Sequence, residues 1–335
     1  MKPPQVTGPA LQYSLMRREP YLPRLTTRLA DGLRRLPDDF RTRHAEFVRR
    51  LRNPDGGFPG REGGSDLYYT GFALRCLAVL DALTPDLVGR AAAFLRVSLG
   101  KQVAGAVDFF SLLYSCLLVQ LSGGPDLLAD APSDWPQRVA DLLQSLRKPD
   151  GGYARSPAAS GSSTYITFLV GLCYELLGRS LPDPEGVCRF VLTRRRGDGG
   201  FVELGPMRKS GTNPTAAAVG LFRLTAAGPE PGWTDEVRQG ATDFLAGRQS
   251  PMEGGLLANT SIPVADLLST FTGAWTLAEI DALGRVDAAA LLSYARSLEG
   301  SDGGFRGGLW DDGTDVEYTF YGLGVLALLT PTHAV

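Results

Sequence analysis

The sequence predicts an all-α fold, an (α/α)6 toroid in which six inner and six outer helices form two concentric rings. Three observations predict it. The first is a recurring phrase: Asp55-Gly56-Gly57-Phe58, Asp150-Gly151-Gly152-Tyr153, Asp198-Gly199-Gly200-Phe201, Glu253-Gly254-Gly255-Leu256 and Asp302-Gly303-Gly304-Phe305. Its first glycines stand at 56, 151, 199, 254 and 303, so the steps are 95, 48, 55 and 49. The first step is close to twice the others, and a degenerate copy falls near Ala104-Gly105. Six units of about 50 residues result, the self-similarity that marks a repeat architecture. The second observation is that an amphipathic helix precedes the glycines. The third is that the helix after them is apolar on nearly every face, so it is buried on all sides or borders an enclosed space.

Taken in chain order, residues 1–35 lie outside the repeat and are expected to pack across an end or edge of the barrel. Residues 36–335 form the toroid domain. Outer helices are predicted at Asp38–Arg52, Arg138–Leu146, Glu236–Ala246 and Ala288–Leu298, where Arg, Asp and Glu can face water. Each Gly-Gly pair supplies positive φ and stops the helix before it. Inner helices are predicted at Asp66–Leu80, Val107–Leu121, Thr164–Leu177, Thr215–Leu224, Asp266–Ile280 and Asp315–Leu329. An open solenoid would show a polar concave face and polar terminal caps. Neither is present in the pattern, which favours closure.

Composition narrows the function. Charged residues make up 21% and the net charge is −2. The longest cationic run is Arg194-Arg195-Arg196, read as a solvated helix end, so nucleic acid is not an expected partner. No apolar run approaches the roughly 18–20 residues of a membrane span, and no secretory leader is evident. Cys76, Cys116, Cys173 and Cys188 lie far apart, as reduced core residues of a cytoplasmic protein would. The two histidines, His44 and His333, both read as surface residues and leave almost nothing for a histidine-based metal site or triad.

The Asp-Gly-Gly-Phe phrase followed by a Thr- and Tyr-rich helix resembles the repeat of protein prenyltransferase β subunits and squalene–terpene cyclases. The resemblance spans about residues 40–330. The segment Asp315-Val316-Glu317-Tyr318-Thr319-Phe320-Tyr321-Gly322 is similar to the Asp-x-x-His-Thr-x-x-Gly segment of prenyltransferases, especially the Rab geranylgeranyl transferase β subunit. Gly254-Gly255-Leu256 through Asp266-Leu267-Leu268-Ser269-Thr270 is similar to their Gly-Gly-Leu … Asp-x-Cys-Tyr-Ser segment. The resemblance implies a toroid whose cavity takes an isoprenoid or isoprenyl diphosphate, and it implies a helical-repeat α subunit as a partner. It also implies a zinc site of Asp, Cys and His. Asp266 matches the first ligand, but Leu268 and Tyr318 replace the other two, and leucine cannot bind a metal. A zinc-thiolate mechanism of the known type is therefore not expected.

The diphosphate pocket departs as well. The basic residues that the family places before the zinc Asp fall near Thr260 and Pro263, and its pocket histidine falls near Gly211–Asn213. Arg208 and Lys209 are the candidate replacement clamp, with solvated loop charges as the alternative. Mg2+ held by Asp311, Asp312 and Asp315 is a second route to neutralising a diphosphate, against a solvated acidic turn. Tyr165, Phe271, Tyr318 and Tyr321 are candidate lining residues, because aromatic walls bury an apolar, π-rich chain well.

Asp315-Val316-Glu317-Tyr318-Thr319 is also similar to the Asp-x-Asp-Asp-Thr segment of class II terpene cyclases, whose middle Asp is the proton donor. Glu317 stands in that place, within an apolar helix that would raise its pKa. Asp315, Glu317 and Tyr318 are thus the candidate catalytic residues. Three functions remain open: an isoprenoid-binding, prenyltransferase-like protein; a small cyclase using Glu317 as acid; and a non-catalytic binding or scaffold toroid.

Overall fold

The computed structural model describes residues 19–101, 105–225 and 232–331. Thirteen α-helices occur among them: α1 (Tyr21–Leu33), α2 (Asp38–Arg50), α3 (Leu67–Val79), α4 (Pro85–Leu99), α5 (Ala106–Leu121), α6 (Trp135–Ser145), α7 (Thr164–Leu176), α8 (Pro184–Thr193), α9 (Thr212–Thr225), α10 (Asp235–Ala246), α11 (Leu267–Glu279), α12 (Ala288–Ser297) and α13 (Val316–Leu329). From α3 to α13 the odd-numbered helices each pack against the next, and α13 returns to pack against α3. The inner ring is closed. The even-numbered helices form the outer layer.

The glycine pairs are docking sites for the neighbouring unit. At Gly56, with φ +91°, a Cβ would lie 2.2 Å from the Arg90 carbonyl oxygen on α4. At Gly303, with φ +93°, it would lie 2.8 Å from the Arg43 carbonyl oxygen on α2. The last unit thus docks on the outer helix of the first, and the outer ring closes too. The second glycine of each pair lies under an aromatic ring of that next outer helix: Gly57 under Phe94, Gly152 under Phe190, Gly200 under Phe244, Gly255 under Tyr294 and Gly304 under Phe47. The residue that follows donates its N–H to a threonine of the inner helix. Phe58, Tyr153, Phe201, Leu256 and Phe305 bond Thr70, Thr167, Thr215, Thr270 and Thr319. These buried hydroxyls satisfy amides that would otherwise be orphaned in the core.

Two surface expectations are corrected. His44 is buried. Its Nδ1 accepts the Gly304 N–H at 3.0 Å, its Nε2 lies 3.2 Å from Glu299 Oε1, and its ring stacks on Phe305. It is the acceptor that the docked glycine turn needs, and desolvation lowers its pKa. Arg194 is also buried; it lies over Phe190 and bonds Asp150. His333, Ala104 and the first eighteen residues of the N-terminal extension lie outside the described residues. The four cysteines are buried, and desolvation pushes the thiols of Cys116 and Cys173 up to about 12. No helix among the described residues is long and apolar enough to cross a membrane.

Helix α1 closes the end of the barrel where the inner helices finish. Its first amides, of Tyr21 and Leu22, donate to the Glu175 carboxylate of α7 at 2.8 and 3.2 Å, replacing the side-chain cap that Pro20 cannot give. Glu279 of α11 receives Arg24, Arg28 and Arg223. Trp275 Nε1 donates to the Tyr21 hydroxyl at 2.7 Å, and the Tyr21 ring meets Phe168 edge-on.

Candidate ligand-binding site

The inner helices begin at the opposite end, where side-chain caps fix their first turns. Asp66 accepts from the Tyr68 and Tyr69 amides, Ser163 from Ile166, Asp266 from Ser269, and Asp315 from Tyr318. Asp108 does not cap; it sits inside the first turn of α5, behind Gly105. Partly exposed side chains gather on these first turns: Tyr68, Phe109, Tyr165, Leu268, Glu317 and Tyr318. Tyr165 exposes 40% of its surface, yet burial pushes its hydroxyl up to about 12. A ring both accessible and desolvated borders a space inside the barrel rather than open water.

Glu317 lies in the wall of this space. Its Oε1 accepts the Tyr68 hydroxyl at 2.7 Å and the Tyr321 hydroxyl at 3.2 Å. Desolvation holds its carboxyl above the ordinary value of 4.5, and the Asp315 charge adds to the effect. The protonated form can keep both tyrosine bonds on Oε1 and carry its proton on Oε2. Asp315 itself has both oxygens engaged: Oδ1 caps α13, and Oδ2 accepts Arg61 Nε at 2.9 Å. Among the candidate catalytic residues, Asp315 therefore acts on Glu317 through charge and position. Tyr318 lies half-buried with its ring 5.7 Å from the Arg61 guanidinium carbon, and desolvation pushes its hydroxyl up to about 12.

The acidic trio does not converge on a cation. Arg61 forks onto both oxygens of Asp311, holding that carboxyl down to about 2, and bonds Asp315 as well. Asp312 is exposed. Asp266 spends its carboxylate on the amide and hydroxyl of Ser269, with Leu268 and Tyr318 as its neighbours in place of thiol and imidazole. Among the described residues no group of three His, Cys, Asp or Glu is placed to hold a metal ion. These donors fit neither zinc nor Mg2+.

The substrate-binding candidates divide. Tyr165 borders the space. Tyr321 is buried and reaches Glu317 through its hydroxyl. Phe271 is only 5% exposed and stacks behind Tyr321, wedged against Gly324, so it supports the wall instead of lining the space. Arg208 and Lys209 are exposed on the turn before α9, and Lys209 Nζ lies 2.6 Å from Ser261 Oγ. Sequence reasoning missed Arg75, whose guanidinium lies 3.8 Å above the Phe72 ring inside the barrel. The available signal was its charge, since no other ionisable carboxylate or base interrupts the apolar run Leu67–Val79.

Residues 26–261 and 232–335 match the prenyltransferase alpha-alpha toroid domain. The chain belongs to this family. The toroid resembles Candida albicans protein geranylgeranyltransferase-I complexed with GGPP, at 15% identity and a TM-score of 0.69 over 86% of this chain and 90% of that one. It also resembles the type II terpene cyclase MstE from Scytonema in complex with geranylgeranyl dihydroxybenzoate, at 13% identity and a TM-score of 0.57 over 92% and 99%. The GH76A alpha-1,6-mannanase from Salegentibacter shares the architecture at 12% identity and a TM-score of 0.60 over 88% and 98%. A comparison with the curated proteins gives no match.

Proposed function

We propose that this toroid binds an isoprenoid chain in the space enclosed by its inner helices. The fold alone does not choose the ligand, since a mannanase shares it. The wall carries the reading: Tyr68, Tyr165, Phe168 and Tyr318 meet a single interior from three different helices, with Phe72, Phe271 and Phe320 packed behind them. Such a surface favours a chain that is apolar and rich in double bonds, because aromatic faces bury it and polarise towards its π-system. Each buried CH2 contributes about 0.8 kcal/mol, so chain length is a strong lever on affinity. The structural neighbours complexed with GGPP and with geranylgeranyl dihydroxybenzoate support the same class of ligand.

A second reading is acid-initiated cyclisation of that chain. The observation in its favour is Glu317, a carboxyl biased towards its protonated form and held by two tyrosines in the wall. The test is incubation of the full chain with labelled farnesyl and geranylgeranyl diphosphate, with and without Mg2+, followed by equilibrium dialysis and product analysis. Saturable binding that the neutral prenyl alcohol displaces, and inorganic diphosphate alone does not, is the expected result. Absence of saturable binding, or failure of the neutral prenyl alcohol to displace the label, removes the reading.

A further inference from the structure

We propose that Arg75 makes the barrel interior an anion-binding site, so that the isoprenoid seats with an acidic head group inward, against the α3–α5 seam. This rests on the isoprenoid reading above and adds the polarity of the ligand. Arg75 stands in the third turn of α3. Its Nε donates to the Gly71 carbonyl at 3.0 Å. Its guanidinium carbon lies 3.8 Å from the Phe72 ring centre, 5.3 Å from Phe320, 5.8 Å from Phe110 and 5.9 Å from Tyr114. These rings steady a cation but offer its N–H groups no strong acceptor.

Three other arginines have carboxylate partners. Arg24 pairs with Glu279, Arg61 with Asp311 and Asp315, and Arg194 with Asp150. Among the described residues no carboxylate comes within ion-pair distance of Arg75, and its terminal nitrogens find no hydrogen-bond acceptor. A guanidinium stays charged, and Arg75 is only half-buried, so an anion that enters the barrel can reach its terminal nitrogens. Glu317 acts on Arg75 only through space: the charge of Arg75 is felt by the carboxyl, but the two do not come within ion-pair distance.

A second observation lies on the facing helix. Ser111 and Ser115 of α5 are 1% and 0% exposed, and the hydroxyl oxygens of both lack a hydrogen-bond partner. Both face Gly71. A Cβ built there would lie 3.5 Å from Ser115 Oγ, 3.5 Å from Ser111 Cβ and 3.7 Å from Arg75 Nη2. A guanidinium and two hydroxyls thus gather where the glycine leaves room, with more donors than acceptors. A carboxylate or phosphate on an apolar chain supplies the acceptors and the charge.

The test compares the wild-type chain with geranylgeranoic acid, geranylgeranyl monophosphate and geranylgeraniol, which differ only in the head. At least one acid should bind about tenfold or more tightly than the alcohol, the worth of one charge-assisted hydrogen bond. Whether carboxylate or phosphate gains more identifies the head group. Arg75→Met keeps the apolar stem on Phe72, and it should abolish the acid preference while leaving alcohol affinity within about threefold. Arg75→Lys keeps the charge without the fork and should retain part of the preference. The double variant Arg208→Ala, Lys209→Ala should leave it intact. Far-ultraviolet circular dichroism and melting confirm the fold of each, and Arg75→Lys carries the test should Arg75→Met fail to fold. Equal binding of acids and alcohol by the wild type, an acid preference that survives Arg75→Met, or one lost with Arg208 and Lys209 overturns this proposal alone. Binding of neither acid nor alcohol overturns the isoprenoid reading along with it.

Discussion

Replacing Glu317 by Gln separates the charge of this side chain from its shape. The amide keeps an oxygen for the Tyr68 and Tyr321 hydroxyls now at 2.7 and 3.2 Å, so the cluster should survive at a cost within about 1 kcal/mol. What disappears is the ionisation. A carboxyl held above its ordinary 4.5 binds its proton more tightly folded than unfolded. Its contribution is therefore fully present below that ordinary value and is lost as pH rises through the folded pKa. The Gln variant has no such loss. Chemical denaturation of both proteins between about pH 4 and pH 8 should show the variant gaining on the wild type as pH rises, by about 1.36 kcal/mol per unit of pKa displacement. Glu175, Glu203 and Asp266 are raised by desolvation too, but both proteins share them and they cancel in the difference. If Glu317 is also the proton donor of a cyclisation, Gln should lower turnover by about 10²–10⁴-fold with chain affinity within about threefold. A stability difference that stays flat with pH would refute the desolvated-carboxyl argument. Full turnover by the variant would refute the acid.

Two further outcomes follow from the packing. Tyr21→Ala removes a ring that meets Phe168 and Trp275 and a hydroxyl that accepts the Trp275 N–H, so it should cost about 3–5 kcal/mol by denaturant melts. It also opens the floor, and dialysis with prenyl alcohols of increasing length should show the preferred chain growing longer; an unchanged preference would mean that the ligand does not reach α1. Gly152→Ala places a methyl 2.4 Å from the buried Phe190 ring and should cost about 1–3 kcal/mol, whereas Gly64→Ala, with nothing within 4 Å, should stay within about 0.5 kcal/mol.

The site was legible in part. Glu317 stood out because a carboxylate inside an apolar helix needs a reason, and the structure gives it two tyrosine partners. Asp266 was marked by its match to a zinc ligand and Asp315 by its place in the segment similar to prenyltransferases and cyclases, and each caps an inner helix. Phe271 looked like lining because a helix apolar on all faces does not say which ring turns inward; Gly324 on α13 decides that by admitting the ring into the seam. The acidic trio looked like a metal site because chain proximity hid Arg61, which is about 250 residues away and takes two of the three. His44 was misplaced for the same reason: its partner, Gly304, belongs to the last unit.

By itself the sequence determined the number of units, the alternation of polar and apolar helices and the closed toroid. Those features repeat along the chain, and periodicity is a local property. Only the tertiary structure decided that α1 floors the barrel, that Arg61 occupies Asp311 and Asp315, and that Arg75 faces rings and hydroxyls instead of a carboxylate. Each of these depends on which side chains meet across a closed ring. Closure brings the first unit against the last, and no spacing within one unit records that contact.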